Sequence, residues 1–180
     1  MEKRKAVVTG SSSGIGKAIT SILLKSGADV IGLARDHKKF KPNFDRYFPI
    51  SLDLSDFEKI ESVIPQLLHQ HSDIDVLICN AGYGDFQALE NFSSKQISKF
   101  INLNLISHII LCRHLVSYMK AKGSGDIIVI GSEASLAGKK KATLYSAAKF
   151  GLRGFTQALR DECSNTGVRV CLINPGFVRS

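Results

Sequence analysis

At 180 residues, with 44% apolar and 22% charged residues, the chain is long enough to close one substantial core and too short for two comfortable domains. A net charge of +8 raises nucleic acid as a partner, but the basic residues are scattered. Clusters such as Lys3-Arg4-Lys5, Lys38-Lys39 and Lys139-Lys140-Lys141 do not alternate with aromatics, so the expectation is solvated surface lysine, with some attraction for a polyphosphate and no nucleic-acid binding.

The charged opening residues lead only into Ala6-Val7-Val8, no apolar run reaches membrane-spanning length, and the expected location is cytoplasmic, without a membrane partner. In chain order, a first strand over 6–9 is followed by a helix over 14–26 that stops at Gly27. Strands follow over 30–34 and, more weakly, 48–52. Ser55 and Glu58 have the spacing of a capping box for a helix running towards His71. A short apolar strand over 76–79 precedes a second capping box, Ser93 and Gln96, which opens a long helix to about Lys122. A strand over 127–130, a helix from about Thr143 to Asn165 and a strand over 168–173 complete the pattern. Strands without polar alternation, separated by helices, predict a Rossmann-type α/β fold: one domain over 1–180 with a doubly wound parallel sheet in the order 3-2-1-4-5-6.

Cys79, Cys112, Cys163 and Cys171 show neither zinc-site nor CxxC spacing, so no metal is expected, and Cys79 and Cys171 are read as small core hydrophobes. The helices around Phe100–Val116 and Leu144–Leu159 carry more apolar surface than one sheet face needs. That surplus predicts a homodimer or homotetramer through these two helices; a loop packed over them would also account for it.

The turn between first strand and first helix reads Thr9-Gly10-Ser11-Ser12-Ser13-Gly14-Ile15-Gly16. Small residues there let backbone N–H groups approach a pyrophosphate at the positive end of the helix dipole. Asn80-Ala81-Gly82 follows the fourth strand, Asn104 lies in the long helix, Ser132 follows the fifth strand, Tyr145 and Lys149 are four apart on the next helix, and Asn174-Pro175-Gly176 follows the sixth strand. This ordered set resembles the classical short-chain dehydrogenases/reductases, with their TGxxxGxG turn, NAG motif, helix asparagine, Ser–Tyr–Lys constellation and PG motif.

The resemblance implies an oxidoreductase that exchanges hydride between a nicotinamide dinucleotide and a small-molecule carbonyl or alcohol. Gly10, Ser11, Ser12, Ser13, Gly14, Ile15 and Gly16 would hold the pyrophosphate end; Asn80, Ala81 and Gly82 would line the cofactor's middle. Asp53 resembles the adenine contact, with Leu54 packing nearby. Pro175, Gly176 and Val178, with Phe177, would hold the carboxamide, and Ser180 stands where threonine is usual. At the end of the second strand, Ala34 takes the place of the acidic residue that selects NAD and Arg35 that of a phosphate-binding residue, so NADP(H) is favoured and NAD(H) remains possible; Ser11 offers a further hydroxyl. Asp36 weighs against this reading, and Ser13 lacks the basic character of some NADP enzymes.

A phenol ionising near 10 is a poor base at neutrality unless an ammonium stabilises its phenolate. Tyr145 would therefore be the acid and base, Lys149 its partner and ribose ligand, Ser132 the group polarising the substrate oxygen, and Asn104 the holder of a water in a proton path. Candidate pocket residues are Tyr83, Asp85, Phe86 and the stretch 133–138. The family's substrate-covering segment and further strand are expected to be absent from this chain. Alternatives are an NAD-preferring alcohol dehydrogenase of the same family and a non-catalytic dinucleotide-binding sensor or scaffold.

Overall fold

The computed structural model describes residues 4–38 and 40–178; expectations resting on Lys3, Lys39 or Ser180 lie outside them. Six strands, β1 (Lys5–Thr9), β2 (Asp29–Ala34), β3 (Tyr47–Ser51), β4 (Val76–Cys79), β5 (Gly125–Ile130) and β6 (Val168–Ile173), form one sheet in the order β3-β2-β1-β4-β5-β6. Every neighbouring pair is parallel. The helices are α1 (Gly14–Lys25), α2 (Phe57–Gln70), α3 (Ser94–Ile101), α4 (Ser107–Lys122) and α5 (Thr143–Glu162).

The pleat sends alternate strand residues to opposite faces. Val7, Ile31, Leu33, Leu77, Ile127 and Val129 meet Ile60 and Ile64 of α2, Leu111 and Leu115 of α4, and Leu152 of α5. Ala6, Val8, Val30 and Ile78 meet Leu24, Ile19 and Leu23 of α1 on the other face. Each such leucine or isoleucine contributes about 1.5–3 kcal/mol of burial. At edge strand β6 only one side is covered: Val168 and Val170 are buried, Arg169 and Cys171 exposed. Cys171 is therefore not a core residue, whereas Cys79 is, its Sγ 3.9 Å from that of Cys112.

Local signals set most boundaries. Gly27 adopts φ +93° just after α1. The Ser93–Gln96 capping box is formed in both directions. The expected box at Ser55 is not: Ser55 Oγ donates to Asp53 at 2.7 Å, and Asp56 caps α2 by accepting from Lys59 N. The nearer carboxylate captured the serine. Helix α5 ends at Glu162 rather than Asn165, because Thr166 Oγ1 turns back to the Cys163 carbonyl. Short 3₁₀ turns over Leu89–Asn91 and Glu133–Ser135 were not expected.

The long helix is not uniform. A π-turn over Asn102–Ile106 separates α3 from α4. The continuous helical stretch Ser94–Lys122 is, against expectation, long and apolar enough to cross a membrane by length and composition. Here it is a layer helix, with Leu111, Leu115 and Met119 buried against the sheet. Part of its apolar surplus is used within the chain: Phe92 folds over Phe100, Leu144 and Ala148, joined by Ile97 and Leu105. Phe150 stays outside, 43% exposed.

Candidate active site

In the order β3-β2-β1-β4-β5-β6, strands are added outward on one side of β1 and then on the other, so the strand order reverses between β1 and β4 and a crevice opens at their carboxyl ends. Thr9, buried at the end of β1, staples this point: its Oγ1 accepts from Asn80 N at 2.8 Å and Ala81 N at 2.9 Å, while Asn80 Nδ2 donates to its carbonyl at 2.9 Å. The turn that follows packs tightly on α1. A Cβ at Gly16 would collide with the Gly10 carbonyl, so only glycine lets the helix begin so close to the turn. Ser13 precedes α1 without capping it through its side chain, and the first turn holds no acidic residue, leaving the positive helix end for an anion.

A cleft of about 760 Å³ runs from Gly10, Ser13, Gly14 and Ile15 past Asn80, Ala81 and Gly82 to Asn104, Ser132, Tyr145 and Lys149, and reaches Pro175, Gly176 and Val178. This path, with an uncapped helix start at one end and an ammonium at the other, fits a dinucleotide. Gly16 is buried and Ser12 half-buried, and neither lines the cleft. Arg35 stands exposed at the end of β2, and Asp53 follows β3. Burial raises the Asp53 carboxyl, but hydrogen bonds from Ser55 and the charges of Arg35 and Lys99 outweigh it and hold the group below the usual range. Two of the residues expected near the cofactor keep their side chains inside the protein. Leu54 is 3% exposed, its side chain in the core, and Ser11 is fully buried, its Oγ turned to Tyr47 Oη at 3.1 Å.

At the other end, Lys149 is 4% exposed and its Nζ donates to the Ile130 carbonyl at 2.9 Å, below the Tyr145 ring at 5.7 Å from its centroid. Burial lowers the Lys149 ammonium to about 8. Ser132 Oγ accepts from Ala134 N at 3.2 Å, which leaves its own proton to donate, and its backbone N–H is held by Asn174 Oδ1 at 3.1 Å. Asn104 is buried with its amide spent inside the protein: Nδ2 donates to the Phe100 carbonyl at 3.0 Å and Oδ1 accepts from Tyr83 N at 3.1 Å. Of the pocket candidates, Tyr83, Phe86, Glu133 and Ala134 line the cleft, and Phe86 packs edge-on to Tyr145 at 5.4 Å; Asp85 is not among the lining residues. Phe177 is 94% exposed at the cleft mouth.

Sequence reasoning missed His108, one turn after Asn104 and fully buried, whose Nε2 donates to the Ala81 carbonyl at 2.7 Å. Burial, then the Lys149 charge, lower it from 6.5 to about 4. Its only sequence signal is the four-residue spacing from Asn104. The unfolded chain takes up this proton near 6.5 and the folded chain only near 4, so the stabilisation is complete above about pH 6.5 and is lost as pH falls towards 4. Chemical denaturation across this window is expected to show up to about 3 kcal/mol of loss that His108→Gln removes. An equally steep loss in the variant would refute the assignment.

A depression of about 880 Å³ lies at the opposite end of the sheet, lined by Arg4, Asp126, Arg160 and Arg169. Asp126 pairs with both Arg4 and Arg169 there, and the depression holds none of the tyrosine, lysine or serine groups of the cleft.

A doubly wound sheet with a glycine turn at its switch point and a serine, tyrosine and buried lysine at the far end of one cleft defines a nucleotide-dependent α/β oxidoreductase. The family model for short chain dehydrogenase matches residues 4–180. The chain is 33% identical over 184 residues to 3-oxoacyl-[acyl-carrier-protein] reductase FabG of Buchnera aphidicola, covering 100% of this chain and 75% of that protein. Among solved structures it resembles a short-chain dehydrogenase from Streptomyces avermitilis, with a TM-score of 0.94 and 31% identity over 99% of this chain and 67% of that one. It also resembles a metagenomic short-chain oxidoreductase in complex with NADP, with a TM-score of 0.90 and 34% identity over 98% of this chain and 82% of that one. The chain belongs to the short chain dehydrogenase family and is an NAD(P)-dependent oxidoreductase.

Proposed function

We propose that the protein interconverts a carbonyl and an alcohol with NADP(H), using Tyr145 as proton donor in reduction and acceptor in oxidation. The observation that carries this reading is the Lys149 ammonium, buried, tied to the end of β5 and lying under the Tyr145 ring at the closed end of the cleft. When bound, the nicotinamide supplies the hydride in reduction and accepts it in oxidation. As charge develops on the substrate oxygen, the Ser132 hydroxyl donates to it and the Tyr145 phenol hands over its proton. Lys149 stabilises the phenolate left behind and holds the ribose. Asn104 keeps the cleft floor in place through Phe100 and Tyr83; this supports a positioning role beside any water it helps to hold. Gly10 to Gly16 receive the pyrophosphate, Asn80 to Gly82 the middle of the cofactor, Asp53 the adenosine, and Pro175, Gly176 and Val178 the carboxamide.

Arg35 at the end of β2, with Ala34 before it in place of an acid, supports NADP(H) over NAD(H), as does the likeness to the NADP-bound neighbour. A charged hydrogen bond to phosphate contributes about 1.5–3 kcal/mol, so Arg35→Ala is expected to weaken NADPH binding about tenfold to a hundredfold and NADH binding by less than about twofold. Fluorescence titration with both coenzymes measures this, and equal losses would overturn the assignment. The reading extends to a homo-oligomer through the outer faces of α4 and α5, where Phe150 remains exposed.

A further inference from the structure

The two loops that must grip the same end of the cofactor, the turn after β1 and the loop after β2, are joined by one side chain from β3. Tyr47 rises from the foot of the sheet across Gly32. Its hydroxyl lies 3.1 Å from Ser11 Oγ in the first loop and 2.9 Å from His37 Nδ1 in the second. His37 Nε2 lies 3.1 Å from the Ile50 carbonyl. A carbonyl only accepts, so Nε2 carries a proton; in the neutral ring Nδ1 then accepts from the Tyr47 hydroxyl, which accepts from Ser11 in turn. Every group in the chain is satisfied in one direction.

Packing reinforces the hydrogen bonds. Phe40, 6% exposed, stands edge-on to the Tyr47 ring at 5.4 Å, with the Lys17 ammonium 5.6 Å above its own ring. The loop carrying Arg35 is thus anchored at His37 and Phe40, both on Tyr47. The post fits only because residue 32 is glycine: a Cβ there would stand 2.5 Å from both Ser11 Oγ and Tyr47 Oη. Burial raises the Tyr47 phenol despite the opposing Ser11 bond, so it remains a neutral hydroxyl able to serve both partners.

We propose that Tyr47 and His37 are positioning residues for recognition of a ribose 2′-phosphate, holding the Arg35 loop in register with the pyrophosphate turn. The inference rests on the NADP(H) reading of Arg35 and adds the device that makes that arginine selective. A guanidinium on a pre-ordered loop loses less freedom on binding than one on a loose loop. Neither Tyr47 nor His37 reaches the reacting atoms, so their effect falls on cofactor discrimination and not on the chemical step.

The test is NADPH and NADH affinity, by fluorescence titration, with kcat at saturating NADPH, for the wild type, Tyr47→Phe and His37→Gln. Tyr47→Phe keeps the ring against Phe40 and removes the hydroxyl. Each variant breaks two hydrogen bonds of the post, and NADPH affinity is expected to fall about tenfold, with NADH affinity within about twofold and kcat unchanged. Equal losses for both coenzymes, or none for either, would overturn the proposal, because a purely structural role moves them together. Should Tyr47→Phe fail to fold, Ser11→Ala cuts the other end of the same bond and must lower the NADPH-to-NADH preference likewise. If Arg35→Ala abolishes the preference while Tyr47→Phe leaves it intact, the positioning role alone is refuted. A wild type without any preference for NADPH refutes the phosphate site and this proposal together.

Discussion

Tyr145→Phe is expected to lower turnover by about three orders of magnitude while NADPH affinity changes less than about threefold, since a positioned proton donor contributes roughly a hundredfold to ten-thousandfold. The substitution removes one oxygen and leaves the ring edge-on to Phe86 and above Lys149, so the cleft keeps its shape. A phenylalanine neither donates a proton nor holds the negative charge that reduction leaves on oxygen. Single-turnover kinetics with a saturating ketone separate the chemical step from cofactor binding. Near-normal turnover in this variant would end the assignment of Tyr145 as acid and base, and would leave the cleft a nucleotide site without this chemistry.

Lys149→Met is expected to lose turnover comparably and yet to unfold at a higher temperature. Burial lowers the Lys149 ammonium from 10.5 to about 8, so below about pH 8 the folded chain carries a buried charge that the unfolded chain exposes to water. That difference corresponds to about 3 kcal/mol against folding at neutral pH. The sign follows from proton counting: between about 8 and 10.5 the unfolded chain binds more protons, so stability rises with pH across that window and the penalty is full below it. Methionine fills the same channel without charge, giving up the bond to the Ile130 carbonyl, worth about 1 kcal/mol. A net gain of about 2 kcal/mol is expected at pH 7, fading towards pH 10.5. Thermal or chemical unfolding of the apo-protein decides it; a variant less stable than the parent at pH 7 would show that this lysine is not held at an energetic cost. An ammonium stored at the expense of stability is the trade expected if Lys149 serves the proposed chemistry.

Much of the site was legible because its signals are local. The turn from Gly10 to Gly16 announces itself by small residues between a strand and a helix, and the family pattern then places Ser132, Tyr145 and Lys149 on elements that the structure reproduces. The Ser93–Gln96 box formed because both partners lie within one turn. Ser55 has the same spacing to Glu58, yet it went to Asp53, a competitor that spacing cannot rank. Ser11 was legible as a loop residue but not as a buried one, because its hydroxyl partner lies 36 positions away.

The order of elements, the parallel sheet and the glycine turn after β1 were determined by the sequence alone, since apolar runs, helix periods and glycine spacing act over a few residues. Tertiary structure decided what those elements do at their contacts. It placed the π-turn that brings Asn104 against Tyr83 and Phe100, buried His108 beside Lys149, left Cys171 in water, and set Tyr47 between two loops. Each of these depends on which distant group reaches a side chain first and on how much water is excluded when it does, and neither quantity is carried by neighbours along the chain.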